Sequence, residues 1–524
     1  MILNRNKNGK IVSAKEAVGF INDGDTIAFG GFVATGIPEE IFKQIEESFI
    51  EGQEPKDLTI MYAAGQGDNA NKGLNHFGHE GLVNRVIGGH WGLAPNLAQL
   101  AIDNKIIGYN LPQGIISQMY RDIAAHKPRT ISHVGLGTFV DPRDSGGKIN
   151  AMTTEEIVEL IEFDGKEYLS YKTFPIDVAI LRGTTADKDG NVTAEKEALF
   201  LESLEIATAA HNSGGIVIVA VERIAQCGTL NPKNVRIPGI MVDYVVVSKP
   251  ENHWQTFDVQ YNPSFSGEIR IPLESIPPMN MTERKIIARR AAYELKAGDI
   301  VNLGIGMSES VAPVAFEEGI LDQITLTAEP GVIGGLPAGG LNFGAATNTD
   351  AIIGQPAQFD FYHGGGLDIG FLGLAQADKE GNLNVSKFGP KLAGSGGFID
   401  ITQNAKRVIF MGTFTAGGLK ISIKNGRISI LREGKVKKFV DQVEQVTFSG
   451  KYARKSEQTV LYITERCVFS LTENGMELIE IAPGVDLKKD VLAHMDFKPV
   501  WSDNLRLMDE KIFQPEAMDL SKSF

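Results

Sequence analysis

The sequence predicts an α/β protein made of two related open α/β domains, each a mostly parallel sheet with helices on its faces, with the active site between them. Three observations carry this. Two pairs of segments recur in the same order along the chain. The apolar runs, such as IVIVAV from Ile216, have the length of strands rather than of membrane spans. Glycine is abundant, at 58 residues, with no collagen-like period, so tight turns and close backbone approaches are frequent. At 524 residues the chain is too long for one core.

Taken in order, the first element pattern is AVGFINDGDTIAFGGF, Ala17 to Phe32: a helical stretch, a Gly24-Asp25 turn, a short apolar strand and the glycine pair Gly30-Gly31. The second is PIDVAILRGTTADKDGNV from Pro175, a buried strand running into a polar turn and then a Gly-Asn step into another strand. A Pro- and polar-rich stretch, Lys249 to Met281, reads as a linker between residues 1–248 and residues 282–524. The first pattern then returns as AAYELKAGDIVNLGIG, Ala291 to Gly306, with its turn at Gly298-Asp299. The second returns as GLDIGFLGLAQADKEGNL from Gly366. A site shared by such halves lies where their strand-exit loops face each other.

Composition narrows the function. The net charge is −14 and there is no basic run, which argues against nucleic acid as the main partner. No stretch is apolar enough for a membrane span, and the start, MILNRNKNGK, lacks the apolar segment of a secretory signal. Two cysteines, Cys227 and Cys467, lie in different halves, which fits a reduced, cytoplasmic setting.

The chemically suggestive stretch is LTAEPGVIGGLPAGG, Leu326 to Gly340. It places one carboxylate, Glu329, at a strand exit, followed by a proline that favours extended geometry and then by glycines, with no Lys, Arg or His nearby in sequence. Three further glycine loops are candidates for bringing backbone amides to a ligand: Gly30-Gly31, Gly304-Ile305-Gly306 and Gly394 to Gly397. Other patterns carry less. DKDGN at Asp187 has its glycine fourth rather than sixth, so it reads as a hairpin-type turn and not a calcium loop. His76, His79, Glu80 and His90 match no zinc spacing, and no metal is expected. GIGMSES from Gly304 lacks the third glycine of a dinucleotide fingerprint, and no phosphate-loop motif occurs.

DGDTIAFGGFVATGIP, Asp23 to Pro38, together with PQG at Pro112 to Gly114, TAEPGVIGG around Glu329 and the later GSGG, resembles the class I coenzyme A transferases over nearly the whole chain. YNLPQGIISQMYRDIAAHKP, LPAGGLNFGA and FIDITQNAKRVIFMGTFTAGGLK are most similar to the branch acting on acetate and propionate with both halves fused. Ala328-Glu329-Pro330-Gly331 departs from the Ser-Glu-Asn-Gly of the ketoacid branch, which weakens a 3-oxoacid substrate. The resemblance implies CoA transfer between a short-chain acyl-CoA and a free carboxylate, ping-pong through a glutamyl-CoA thioester on Glu329. It implies coenzyme A as substrate, no cofactor, and a homo-oligomer, dimer or tetramer. Gly397, then Gly396, are the expected oxyanion donors, and the Gln113 amide is an expected partner of Glu329 or of the substrate. The loop Gly304, Ile305, Gly306, Met307 and Ser308, ahead of a helix near Glu309, is the expected seat of pantetheine or phosphate. An acyl-CoA hydrolase on the same scaffold differs only in admitting water, and a non-catalytic ligand-binding protein would keep Glu329 as a structural residue.

Overall fold

The computed structural model describes residues 9–272, 278–522 and 524. An eight-stranded sheet is formed by β1 (Ile11–Val12), β2 (Thr26–Phe29), β3 (Leu58–Tyr62), β4 (Val83–Gly88), β5 (Ile107–Asn110), β6 (Val178–Arg182), β7 (Ile216–Val221) and β8 (Tyr244–Val247), in spatial order β1-β8-β7-β6-β2-β3-β4-β5. Every neighbouring pair in it is parallel. Parallel strands need covering on both faces, and the apolar runs of β6 and β7 supply side chains to both. One core lies on each face of this sheet, with Ile115, Met119 and Leu181 in the first and Phe29, Phe42 and Ile180 in the second.

The second sheet contains β9 (Ile300–Leu303), β10 (Thr325–Ala328), β11 (Val332–Ile333), β12 (Ala351–Ile352), β13 (Ile369–Gly373), β14 (Arg407–Met411), β15 (Thr459–Ile463), β16 (Cys467–Thr472), β17 (Gly475–Ile481) and β18 (Val500–Leu507). Its order is β12-β11-β10-β9-β13-β14-β15-β16-β17-β18. The five strands from β10 to β15 in that order are mutually parallel, and antiparallel strands extend the sheet on both sides.

The repeats read from the sequence map onto equivalent places. β2 lies between β3 and β6, and β9 lies between β10 and β13. The Gly-Asp turns are built alike: Gly24 and Gly298 have φ of 80° and 83°. Asp25 accepts from the Asn22 amide at 2.8 Å, and Asp299 accepts from the Lys296 amide at 2.8 Å. The DKDGN and DKEGN segments are turns, with Asp187 and Asp378 each accepting from two backbone amides of their own loop.

The helices that frame the crevice follow local signals. α1 (Ala14–Val18) is started by Ser13 and Glu16, which cap each other's backbone amides. α2 (Gln113–Ala124) begins after Pro112, and α3 (Ser203–Asn212) packs against it. α4 (Gln355–His363) carries Pro356 in its first turn, where no intrahelical donor is needed. α5 (Phe398–Thr402) starts at Gly397. The stretch after Lys249 is strapped to both sides: the Phe257 amide donates to the Ala34 carbonyl at 3.1 Å, and Thr256 Oγ1 donates to Asn342 Oδ1 at 2.6 Å. A fifth apolar cluster, including Phe32, Ala64, Ala328 and Phe343, fills the space where the carboxyl ends of the two sheets meet.

Candidate active site

Glu329 is the residue after β10, and the chain turns back at once into β11 through Gly331 at φ 114°. A side chain on Gly331 would land on the Ile353 carbonyl, so the turn that presents Glu329 requires glycine. The carboxylate is 7% exposed and forms no ion pair among the described residues. Burial therefore pushes its pKa up to about 7. A hydrogen bond from Asn302 opposes that shift and the charge of Asp400 adds to it.

Among the described residues the single side-chain donor to Glu329 is Asn302, on β9, with Nδ2 3.4 Å from Oε2. Asn302 is itself fixed by Tyr362 of α4, whose hydroxyl lies 3.3 Å from Nδ2 and 2.8 Å from Thr327 Oγ1. These groups come from three neighbouring elements and are all buried. Asn302 donates to Oε2, and the residue's own backbone amide also hydrogen-bonds the carboxylate and favours the anion. A desolvated carboxylate with no countercharge is more reactive than a hydrated, paired one.

Gly397 lies against it. A Cβ at Gly397 would sit 3.5 Å from Glu329 Cγ, and the Gly397 N–H makes no hydrogen bond among the described residues. Gly396 differs from the sequence expectation: its N–H is committed to the Gly89 carbonyl at 2.7 Å, so it has no free donor for an oxyanion. Its own carbonyl accepts from the Gln113 amide at 3.0 Å, which pins the glycine loop to α2. Of the two partners expected for the Gln113 amide, Glu329 is not the one it meets here: its Nε2 donates to Gln355 Oε1 at 3.2 Å. Gln355 in turn donates to Ser117 Oγ and Glu202 Oε2, at 2.7 and 3.0 Å. Glu202 is fully buried with no cation, and burial raises it to about 8.

The loop expected to seat pantetheine or phosphate is not a bare amide cradle. The Gly304 N–H donates to the Phe371 carbonyl at 2.9 Å. The Gly306 amide faces the Glu309 carboxylate, and Arg284 lies 3.6 Å from that carboxylate while donating to the Gly306 carbonyl. Ile305 is 53% exposed, Met307 packs on the core, and Ser308 is buried. The α-helix begins at Val311, after a 3-10 turn over Gly306–Ser310, and it is only seven residues long. The glycine pair after β2 makes close contacts. Gly30 rests near Ser203 and Ile206 of α3, and a Cβ at Gly31 would stand 2.6 Å from the Gln66 amide carbon. His76 is bound to Glu39 and Glu46 at 2.9 and 2.6 Å, and His79 to Glu46 at 2.6 Å, so this cluster is a set of ion-pair contacts.

Sequence reasoning missed Asn302, Tyr362, Asp400, Gln66 and His90. A lone asparagine inside the apolar strand IVNL was the one local signal available. Asp400 is wholly buried and bonded to His363 Nε2 at 2.9 Å.

Comparison with known proteins places this geometry. Residues 11–248 match the model of the family described as Coenzyme A transferase. The chain is 50% identical to the caffeate CoA-transferase of Acetobacterium woodii over 96% of this chain and 97% of that protein. The chain belongs to the coenzyme A transferase family. It is 46% identical to the acetate CoA-transferase YdiF of Escherichia coli (strain K12), over 98% of this chain and 97% of that protein. The crystal structure of the acyl-CoA transferase YdiF apoenzyme from Escherichia coli O157:H7 superimposes with a TM-score of 0.93 at 45% identity, covering 98% of this chain and 97% of that one. The protein is thus a CoA-transferase of the α/β fold that its sequence predicted.

Proposed function

We propose that this CoA-transferase moves coenzyme A between a short-chain acyl-CoA and a free short-chain carboxylate, with Glu329 as the covalent carrier in a ping-pong cycle. The observation that carries the reading is the buried, unpaired carboxylate of Glu329 with Asn302 on one oxygen and the free Gly397 N–H beside it. A solved YdiF structure described as a thioester complex with CoA, matching at a TM-score of 0.91, supports the same intermediate.

The steps balance on these groups. Glu329 Oε1 attacks the thioester carbonyl carbon, the C–S bond breaks, and CoA leaves as the thiolate with an acyl-glutamyl anhydride remaining. The thiolate then attacks the Glu329 carbonyl carbon, and the first acid departs as its carboxylate, giving the glutamyl-CoA thioester. The acceptor carboxylate reverses both steps. In the second attack negative charge grows on Oε2, the oxygen to which Asn302 already donates. The closeness of Gly397 to Glu329 and its N–H without a partner among the described residues support it as the donor to the oxyanion of the acyl carbon. A fixed donor of this kind contributes about 3–4 kcal/mol to lowering a barrier. A short acid is supported by the bulk packed near Glu329, where Phe32 and Phe343 stack at 5.8 Å and Gly344 stands against Phe32 and Pro330. Water must be kept out, or the anhydride is hydrolysed.

The test is trapping. Acyl-CoA without acceptor, followed by borohydride, should inactivate the enzyme irreversibly, with the lesion on the peptide holding Ala328-Glu329-Pro330; borohydride alone should not. A lesion on another acid, or turnover retained by Glu329→Gln, would remove Glu329 from the mechanism. Both cysteines are free thiols, which supports a reducing, cytoplasmic compartment. Among the described residues no helix is long and apolar enough to cross a membrane. We also infer a dimer or tetramer, which a light-scattering mass equal to one 56.8 kDa chain would exclude.

A further inference from the structure

Two polar side chains on the first half lie near the segments that flank Glu329 and have no assigned work. Gln66, at the exit of β3, is 0% exposed, and neither its Nε2 nor its Oε1 has a hydrogen-bond partner among the described residues. Leaving a buried amide unsatisfied at both ends is costly, because each polar group has given up water without a replacement. His90, at the exit of β4, has a buried Nδ1 that is also unpartnered.

Their placement ties them to the reacting carboxylate. Gln66 is fixed by its neighbours, since the Val33 amide donates to the Gly65 carbonyl and the Gly67 amide to the Val33 carbonyl, both at 2.7 Å. Gly31 and Gly65 both lack the Cβ that would collide with these side chains: at Gly31 it would meet the Gln66 amide, at Gly65 the His90 ring. Phe32, the residue after Gly31, stands against Gly344, which in turn lies against Pro330. From the other side, a Cβ on Gly396, next to Gly397, would lie 3.8 Å from the His90 ring. These contacts put the two orphaned groups beside the segments that flank Glu329, Gln66 against Gly31 next to Phe32 and His90 against Gly396 next to Gly397.

We propose that Gln66, assisted by His90, is the specificity-determining residue of the acyl site, recognising acids whose chain carries an uncharged hydrogen-bonding oxygen. The side-chain amide offers one donor and one acceptor, which a hydroxyl matches on both counts. Burial holds the imidazole neutral, with its pKa pushed down to about 4 and the charge of Lys391 acting in the same direction. A site built to hydrogen-bond a substrate oxygen rejects the analogue that lacks it far more strongly than an apolar pocket separates homologues.

This inference rests on the transferase reading above, and its test separates the two. With acetyl-CoA as donor, kcat/KM is measured for butanoate and for 3-hydroxybutanoate in the wild type, Gln66→Met and Gln66→Leu. The wild type should favour the oxygenated acid. Gln66→Met, which keeps length and removes both hydrogen-bonding groups, should lower kcat/KM for that acid by roughly 10- to 100-fold and leave butanoate within about threefold. Gln66→Leu should give the same direction. An unchanged ratio, or an equal fall for both acids in both variants, would overturn the assignment while transfer itself stands. Wild-type enzyme that trapped no CoA on Glu329 and transferred to neither acid would overturn the transferase reading and this one with it.

Discussion

Replacing Glu329 by Gln should make the protein more stable, and more so as pH rises. Burial without a cation raises the folded-state pKa of Glu329 to about 7, against an ordinary value of 4.5. Between those two values the folded chain holds a proton that the unfolded chain has released, so stability falls as pH rises through that window and levels off above it. At 1.36 kcal/mol per unit, ionising Glu329 costs about 1 kcal/mol near pH 5.5 and about 3 kcal/mol near pH 8. Gln keeps the shape, accepts from Asn302 through its carbonyl, and cannot ionise. Denaturant unfolding of wild type and Glu329→Gln should therefore give curves separated by about 2 kcal/mol more at pH 8 than at pH 5.5, the variant being the more stable. If the separation is the same at both pH values, Glu329 is not a strained anion, and the argument for its reactivity fails with it.

The remaining predictions concern the same carboxylate in catalysis. Because the anion is the attacking form, kcat/KM for acyl-CoA should rise with pH through an apparent pKa near 7. Asp400→Asn removes a neighbouring negative charge and should move that limb to lower pH. Asn302→Ala removes the hydrogen bond that favours the anion, so it should move the limb to higher pH and lower kcat by roughly tenfold or more through lost alignment. If neither variant moves the limb, the titration belongs to another buried acid, for which Glu202, raised to about 8, is the first choice.

Much of the architecture was legible because it is written locally. The Gly-Asp turns need a left-handed glycine and an aspartate that accepts from an amide three residues earlier, so they show in any short window. The same holds for the DKDGN and DKEGN turns, where the aspartate binds its own loop. Glu329 was legible for a related reason: proline and glycines on its C-terminal side leave it exposed to whatever faces it. The glycine loops were misread where their partners are distant. Gly396 looks free in sequence, yet Gly89, from the exit of a strand more than three hundred residues earlier in the chain, takes its amide. Gln113 looks like a ligand for Glu329, yet Gln355 takes it.

Sequence alone was enough to read two recurring α/β halves, several glycine-dense loops, and one acid at a strand exit without a cation in its own segment. These are properties of turn chemistry, strand periodicity and spacing, which act over a few residues. Only the tertiary structure decided that Glu329 is 7% exposed, that Asn302 holds one oxygen, and that Asp400 adds charge nearby. It alone showed that, among the described residues, the Gly397 amide has no partner while that of Gly396 has one, and that the Gln66 amide and His90 Nδ1 are buried without partners. A carboxylate's pKa and an amide's availability depend on what other segments bring within hydrogen-bonding distance, and those segments are joined by packing of the two sheets rather than by neighbourhood in the chain.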